Sequence, residues 1–192
     1  MSAHAVPRLT PEEYLKIDRE AEIRSEYHDG QMFAMSGGTL PHSLLKVRLV
    51  GALARALQGR RCEVTDSDLR VAISAQGPFV YPDAAIYCGE PRLADNYRDT
   101  LLNPTILFEV LSKSSEAYDR GHKFAQYRRI DSLREYVLIS QTEPRIEIFA
   151  KGPYGKWTLT EFLGEAATCE LVSVGVEIPL AEVYRDVTLE AA

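Results

Sequence analysis

The chain has 192 residues, of which 45% are hydrophobic and 26% are charged, and its formal net charge is -6. These proportions are typical of one soluble globular domain, here residues 1–192, and no apolar run approaches the roughly 18 residues that cross a bilayer. The negative net charge argues against a general nucleic-acid binder, because affinity for phosphate comes mainly from Lys and Arg.

Basic residues nevertheless gather in one part of the chain. Between Lys113 and Arg134 there are six basic residues and three acids, which predicts a basic patch on an acidic protein.

The first ten residues lack the basic and apolar stretches of a secretion signal, so we expect a cytoplasmic protein. The three cysteines are far apart and odd in number, which predicts reduced thiols rather than disulfides or a structural zinc site.

The first third of the chain predicts two helices around a hairpin. A capping box and a proline at the first helical position predict a helix from Pro11 to about Ala21. Asp29-Gly30, a dipeptide that favours tight turns, lies between two short strands, Arg24 to His28 and Gln31 to Met35. Leucine and valine at helical spacing predict a longer helix over roughly Pro41 to Gln58.

The rest of the chain alternates between short apolar runs and one more helix. The segment from Gly89 to Asn103 is polar and is predicted to be a long surface excursion. A helix is predicted over Ser115 to Ile130. The predicted strands are Cys62 to Thr65, Leu69 to Ile73, Phe79 to Tyr87, Thr105 to Leu111, Glu135 to Ser140, Arg145 to Ala150 and Trp157 to Glu161.

Two acids lie inside segments that are otherwise apolar. Glu109 is in the middle of Thr105 to Leu111, which reads as a strand buried on both faces, and Asp83 follows Pro82 in a second apolar run. Proline cannot donate a ladder hydrogen bond, which predicts a bulge or an edge there. Burying an unpaired charge costs several kcal/mol or is avoided by a pKa shift. Each acid therefore needs a partner, either a cation or a hydrogen-bond network, or a place at a sheet edge that opens on a cleft.

A shared divalent cation is one such partner. Mg²⁺ accepts one or two carboxylates together with water and substrate oxygens, and two strand carboxylates on one sheet face could provide them. The alternative is that each acid pairs with its own Arg or Lys in the core, or that one of them is an ordinary edge residue.

Lys123 is the candidate third member of this site. Asp119, Lys123, Gln126, Tyr127 and Ile130 fall on one face of the predicted helix, so the ammonium points where Ile130 points, toward the sheet. An ammonium there could orient water or stabilise charge on an attacked phosphate. The alternative is a surface pair between Asp119 and Lys123, worth roughly 0.3 to 0.5 kcal/mol.

The chain resembles the restriction-endonuclease family called Uma, which is DUF820-like and belongs to the PD-(D/E)xK nuclease superfamily. The resemblance covers about residues 11–149. The motifs that carry it, in order and spacing, are Glu26-Tyr27 with Asp29-Gly30, the turn Met35-Ser36-Gly37, His42, Tyr81-Pro82-Asp83, Phe108-Glu109-Val110-Leu111-Ser112, and Tyr118-Asp119-Arg120 with Lys123 and Tyr127.

This resemblance implies an α/β (α+β) fold with a restriction-endonuclease-like core, in which helices flank a mixed central β-sheet. It implies Asp83 and Glu109 as ligands of Mg²⁺ or Mn²⁺, with a lysine completing the site. The sequence departs from the superfamily pattern because Leu111 replaces the lysine expected two residues after the glutamate. We interpret Lys123 as the migrated lysine.

Two further residues match family positions outside the superfamily core. Glu26 could be another metal ligand or a site acid, or it could pair across its hairpin. His42, near a helix start, could contact phosphate or shuttle a proton, or it could be only a cap or a surface residue. Asp68 is a weaker candidate.

The function predicted from these residues is metal-dependent hydrolysis of DNA phosphodiesters. One alternative is a catalytically inactive module that binds nucleic acid or protein. Another is a metal-dependent hydrolase for a small phosphate ester or a nucleotide, which would have a closed pocket, whereas a DNA nuclease needs an open groove lined by Lys113, Arg120 and Arg128. Edge strands near the C-terminus are compatible with a homodimer.

Overall fold

The structure is a computed structural model that describes residues 8–190. Both ends of the predicted domain, and most of the segment on which the cytoplasmic expectation depends, lie outside these residues. The strands are β1 (Ser25–His28), β2 (Gln31–Ala34), β3 (Cys62–Asp66), β4 (Arg70–Ala72), β5 (Phe79–Val80), β6 (Ala84–Cys88), β7 (Thr100–Leu101), β8 (Ile106–Val110), β9 (Glu135–Ile139), β10 (Arg145–Lys151), β11 (Trp157–Leu163), β12 (Thr168–Leu171) and β13 (Val176–Pro179).

Between residues 8 and 190, four helices and one short 3₁₀ turn, Pro153–Gly155, accompany these strands. The helices are α1 (Pro11–Glu20), α2 (Leu40–Ala56), α3, and α4 (Leu180–Tyr184). Helix α3 consists of three contiguous segments: α-helical Glu116–Tyr118, π-helical Asp119–Lys123 and α-helical Phe124–Tyr127. None of the helices between residues 8 and 190 is long and apolar enough to cross a membrane.

The sheets are arranged around a mixed central sheet of six strands. Its order is β11-β10-β9-β8-β6-β3, with β8 and β9 parallel and the other pairs antiparallel. A second sheet of five strands has the order β2-β1-β5-β4-β7, and β12 pairs with β13. This arrangement confirms the predicted α/β fold with a mixed central sheet flanked by helices.

Strand β8 is buried on both faces because helices cover both sides of the central sheet. Ile106, Phe108 and Val110 pack in a core cluster with the apolar face of α2, which includes Leu45, Leu49 and Leu53. Leu107 packs on the opposite side with Tyr127 of α3. Full burial of a Leu or Ile side chain contributes about 1.5–3 kcal/mol. The alternation along β8 places Glu109 on the side of α3.

The segment predicted as one strand, Phe79 to Tyr87, is two strands in different sheets. Strand β5 belongs to the second sheet and β6 to the central sheet, with Tyr81, Pro82 and Asp83 between them. The physical reason is Pro82, which has no N–H for a ladder. Asp83 therefore precedes β6 by one residue, and the prediction that it lies within a strand is wrong.

Several other elements differ from the sequence-based expectation. The polar excursion from Gly89 to Asn103 contains β7, which is buried and pairs in parallel with β4. Strands β12 and β13 and helix α4 were not predicted. They are only four or five residues long, so their periodic signal is weak.

The cysteines also differ from the expectation. Cys62 and Cys88 are direct partners in the antiparallel register of β3 and β6, and they form a disulfide. The prediction of reduced thiols is wrong for this pair because their 26-residue separation hides a cross-strand contact. Cys169 is a free thiol, as predicted, and it is buried.

Candidate functional site

Asp83 and Glu109 are neighbours: Glu109 is on the face of the central sheet that α3 covers, and Asp83 immediately precedes β6. Ala84 pairs with Phe108 in the antiparallel register of β6 and β8, which brings the residue before β6 next to the end of β8. The backbone N–H of Val110 donates a hydrogen bond of 2.8 Å to Asp83 Oδ2. Glu109 is only 4% exposed. The structure therefore brings together the two acids that the sequence singled out.

Lys123 reaches this pair from α3. Its Nζ lies 2.8 Å from Glu109 Oε1 and 3.8 Å from Asp119 Oδ1, and its side chain is 8% exposed. The helical spacing correctly predicted that the lysine points toward the sheet. The surface pair considered as the alternative is wrong, since Asp119 and Lys123 are both buried. The π-helical turn that holds them is a rare conformation, frequently found at functional sites.

Glu26 enters the same cluster from the second sheet. Its Oε1 lies 3.3 Å from Lys123 Nζ and accepts a 3.2 Å hydrogen bond from the backbone N–H of Tyr81, while its Oε2 lies 3.4 Å from His28 Nε2. Its partner across the hairpin is Phe33, so the expected alternative of an ion pair across the hairpin does not occur. Both sheets thus contribute to one site.

His42 comes from the first turn of α2. Its backbone N–H donates to Oγ1 of Thr39, the N-cap residue, and its Nε2 lies 3.3 Å from Asp83 Oδ2. The side chain is 18% exposed. His42 therefore takes part in the cap through its backbone and contacts the site through its ring.

The sequence does not predict the contacts that two residues of the cluster make. The Tyr127 hydroxyl donates a 2.7 Å hydrogen bond to Glu109 Oε1, and Tyr127 had been placed on the correct helix face without a role. His28 contacts both Glu26 and the Tyr118 hydroxyl, the latter at 3.1 Å. Its position two residues after Glu26, on the same strand face, was the available signal.

Charge is unevenly balanced in this cluster. Burial raises the pKa of Glu109 to about 8, and the Lys123 ammonium offsets only part of this effect. Burial also acts to raise the pKa of Glu26, but the Lys123 ammonium and the bonds from His28 and Tyr81 outweigh it and lower that pKa to about 2. The surrounding carboxylates hold the pKa of Lys123 above its ordinary value against the effect of burial. The lysine is thus a fixed cation among several acids.

The donors present fit a divalent cation of the Mg²⁺ type. Among residues 8–190, no group of three or more His, Cys, Asp or Glu side chains is arranged to enclose a metal ion. Mg²⁺ does not need such a cage, because one or two carboxylates suffice when water and substrate oxygens complete the octahedron. Asp83 and Glu109 provide hard oxygen donors of this kind.

The basic residues expected to line a DNA groove are not all free. The guanidinium of Arg120 binds Glu147 through two nitrogens and Glu116 through a third, so it is committed to protein carboxylates. Arg128 is exposed and lies over the ring of Phe124 at 5.1 Å. Lys113 is exposed. Of the three basic residues expected in the groove, Lys113 and Arg128 are therefore exposed, and Arg120 is occupied by protein carboxylates.

The weaker acid candidate does not take part in this cluster. Asp68 pairs at the surface with Arg24 at 2.7 Å, with a side chain that is 70% exposed. An exposed pair of this kind contributes about 0 to 1 kcal/mol to stability.

Comparison with known proteins identifies relatives over most of the chain. An uncharacterised protein of Synechocystis, slr1290, is 36% identical over 179 residues, which is 93% of each chain. A second Synechocystis protein, sll1609, is 35% identical over 162 residues, covering 84% of this chain and 92% of its own. Residues 11–181 match the profile of the Uma2 family, described as "Putative restriction endonuclease".

The fold is also similar to a solved structure. A crystal structure of a "putative nuclease belonging to DUF820" from Anabaena variabilis superimposes with a TM-score of 0.74. The match covers 92% of this chain and 97% of that chain at 16% identity, so it shows a shared fold. From the profile match and the Synechocystis relatives, the chain belongs to the Uma2 family of restriction-endonuclease-like proteins.

Proposed function

We propose that this protein is a divalent-metal-dependent endonuclease that hydrolyses DNA phosphodiester bonds. The observation that carries the proposal is the position of Lys123, whose Nζ lies 2.8 Å from Glu109 Oε1. Leu111 occupies the usual lysine position of the superfamily pattern, and a lysine from the following helix stands at the acids instead. The family match supports hydrolysis of nucleic acid as the reaction class, and the cluster contains side chains suited to it.

Asp83 and Glu109 would hold the cation, Mg²⁺ or Mn²⁺. Bound there, it supplies Lewis-acid polarisation of the phosphate and acidification of water. The protein orients both carboxylates before any ligand binds. Val110 donates its backbone N–H to Asp83, and Tyr127 donates its hydroxyl to Glu109, so neither acid has to reorganise. Tyr127 is therefore a positioning residue.

Lys123 supplies a fixed positive charge for the reaction. Charge builds on the phosphate oxygens as water attacks, and an ammonium in a water-poor site stabilises that charge more than it would in bulk solvent. Glu26 and Asp119 restrain the lysine side chain from either side. His42, next to Asp83, can transfer a proton between the site and solvent because its ring is partly exposed.

The test is cleavage of supercoiled and single-stranded DNA in Mg²⁺ or Mn²⁺. We expect Asp83→Asn, Glu109→Gln and Lys123→Met each to lower the rate by at least about 100-fold. Glu177→Gln and Lys156→Met remove an exposed acid and an exposed base elsewhere and should retain wild-type rates. Equal loss in the control variants would point to misfolding, and cleavage that persists unchanged in the three site variants would point to a contaminating nuclease and overturn the proposal.

An inactive binding module is the second candidate, and the replacement by Leu111 favours it. A module of this kind would bind DNA or protein without cutting and would not require a cation at Asp83 and Glu109. Absence of cleavage by the wild type with either metal, together with metal-independent binding of DNA, would support the module and overturn the endonuclease.

A homodimer would suit paired cuts on a duplex, because two-fold symmetry of the protein matches that of the DNA backbone. Strand β11 is at the edge of the central sheet, and its Leu159 and Leu163 are 46% and 60% exposed. Light scattering of the wild type and of Leu163→Glu tests this arrangement. A monomer at micromolar concentration would contradict it.

A further inference from the structure

A pocket of about 260 Å³ opens beside the acidic cluster. It is lined by Glu26, His28, Phe33, Tyr118 and His122. Four of these five residues carry planar rings, although the neighbouring cluster is built from carboxylates and an ammonium. The chemistry described above does not use these rings.

Two elements build the pocket. Glu26 and His28 are two residues apart on β1 and share one strand face, and Phe33 is the direct partner of Glu26 across the hairpin. Tyr118 and His122 are four residues apart on α3 and therefore lie one above the other on the helix surface. The hairpin and the helix present their rings to a common space.

Two of the four rings are stacked, and a third ring lies nearly perpendicular to one of them. Tyr118 and His122 are nearly parallel, with an interplanar angle of 22° and centroids 5.4 Å apart. His28 meets Tyr118 edge-on at 86° and lies 5.9 Å from Phe33. Phe33 is 50% exposed and Tyr118 is 36% exposed, so apolar ring surface remains uncovered. A further planar ring could stack on this surface.

The pocket and the proposed phosphate site share one side chain. Glu26 Oε2 lies 3.4 Å from His28 Nε2, and Glu26 Oε1 lies 3.3 Å from Lys123 Nζ. A ligand with an aromatic ring in the pocket would therefore have neighbouring groups within reach of the ammonium. A nucleotide has this combination, since its base and its phosphates are joined through one sugar.

Electrostatics also favour a contact with the base. The chain carries a net charge of -6, and Arg120 is committed to two glutamates. Phosphate contacts alone would give weak binding that falls steeply with salt. Stacking of bases on aromatic side chains depends little on net charge and accepts any base.

We propose that this pocket binds an unpaired nucleobase of the strand that is cut. The inference rests on the proposed nuclease function and specifies its substrate class, namely single-stranded or locally unpaired DNA. A base in an intact duplex has both faces covered by its neighbours, so it must be unpaired or extruded before it can stack on protein rings. Phe33 and Tyr118 supply the stacking surface.

The test compares two short oligomers with equal phosphate charge. One is oligothymidylate, and the other is a chain of the same length in which every nucleotide is an abasic tetrahydrofuran analogue. Binding is measured by fluorescence anisotropy in Ca²⁺, which accepts the same oxygen ligands as Mg²⁺. The variants are Phe33→Leu and Tyr118→Leu, which keep apolar volume but remove the ring. Phe33→Tyr restores a ring, and Tyr154→Leu removes an exposed tyrosine outside the pocket.

We expect the wild type to bind oligothymidylate about 5- to 100-fold more tightly than the abasic chain. The two leucine variants at Phe33 and Tyr118 should lose this preference and bind the abasic chain as the wild type does. Phe33→Tyr and Tyr154→Leu should retain the preference.

Three outcomes overturn the proposal, and they distinguish failure of the base pocket from failure of the nuclease. Cleavage of DNA by a wild type that binds both oligomers equally, or equal weakening of both oligomers by the leucine variants, would reject the base pocket and leave the nuclease standing. A wild type that neither binds nor cuts any nucleic acid would reject the nuclease and the pocket together.

Discussion

Two buried clusters of charged side chains meet at Tyr81, and they differ in how their charges are balanced. The Tyr81 hydroxyl donates a 2.6 Å hydrogen bond to Asp18, which forms an ion pair with Arg70 at 2.7 Å. The Tyr81 backbone N–H donates to Glu26, in the cluster that surrounds Lys123. The first cluster, which we call the structural cluster, matches acid with base. The second has three carboxylates within 4 Å of one ammonium.

In the structural cluster the polar groups have protein partners. Arg70 donates through its three nitrogens to Asp18, to the Tyr14 hydroxyl at 3.2 Å and to the Thr100 hydroxyl at 2.9 Å. Asp18 also accepts the backbone N–H of Ser25 at 2.7 Å. Such a network joins α1 to β4 and β7 and leaves no charge for a ligand to satisfy.

The cluster around Lys123 has unmatched charges instead. Its acids outnumber its one ammonium, so burying their negative charge costs free energy. A cation from solution would offset part of this cost. A buried polar network with matched charge and satisfied hydrogen bonds depends on each of its partners for stability, whereas a network with excess charge of one sign is available for binding.

The largest effect should come from breaking the structural cluster. Arg70→Met leaves the Asp18 carboxylate buried without its cation, which should lower the free energy of unfolding by about 3–5 kcal/mol. Urea denaturation measures this change. Arg55→Met is the matched control, because Arg55 pairs with Glu182 at the surface, with side chains 64% and 44% exposed, and should change stability by about 1 kcal/mol or less. An equal loss of unfolding free energy in the two variants would contradict the structural role of the buried pair between Arg70 and Asp18.

The next largest effect should come from adding a cation to the site. Mg²⁺ or Mn²⁺ at 100 times its Kd should stabilise the folded protein by about 2.7 kcal/mol, because only the folded chain brings the acids together. Thermal unfolding with and without EDTA measures the shift in Tm. Asp83→Asn should abolish the shift, whereas Arg70→Met should retain it. A metal-induced shift that survives in Asp83→Asn would place the cation elsewhere.

Removal of the single ammonium should have an intermediate effect on stability. Lys123→Met deprives Glu109 and Glu26 of their cation, and we expect a loss of about 1–3 kcal/mol without metal. The loss should be smaller than for Arg70→Met, because burial already raises the pKa of Glu109 to about 8 and loss of the ammonium raises it further, so this carboxyl is protonated near neutral pH and does not need a cation. Chemical denaturation near neutral pH tests this order. A larger loss in Lys123→Met than in Arg70→Met would contradict it.

The site was more predictable from sequence than the structural cluster, for a physical reason. Glu109 interrupts an apolar strand, and Lys123 follows from helical periodicity, so both signals are local. Arg70 is also a charged residue inside a predicted strand, so the cost of burying its charge predicts a partner for it as well. That partner, Asp18, lies on a distant helix, and no local pattern points to it.

The limits of the fold prediction have the same origin. The ends of α1 and α2 were predicted to within two residues because caps and periodicity are local signals. The division of Phe79 to Tyr87 between two sheets depends on long-range pairing of β5 with β1 and of β6 with β8. The contact of Cys62 with Cys88 likewise depends on the register of β3 and β6.

The smallest effect should come from acid titration at the edge of the structural cluster. Arg19 donates two hydrogen bonds to Asp99, at 2.8 and 2.9 Å, and holds the pKa of that carboxyl below its ordinary value of 3.8. The folded state therefore binds fewer protons in acid than the unfolded state does, so this contribution is present above about pH 4 and is lost as the pH falls further. Urea denaturation should show Asp99→Asn less stable than the wild type by about 1 kcal/mol or less at neutral pH, since Asp99 is partly exposed. The difference should shrink below about pH 4, and a difference that persists or grows there would show that Asp99 stabilises the fold by something other than its charge.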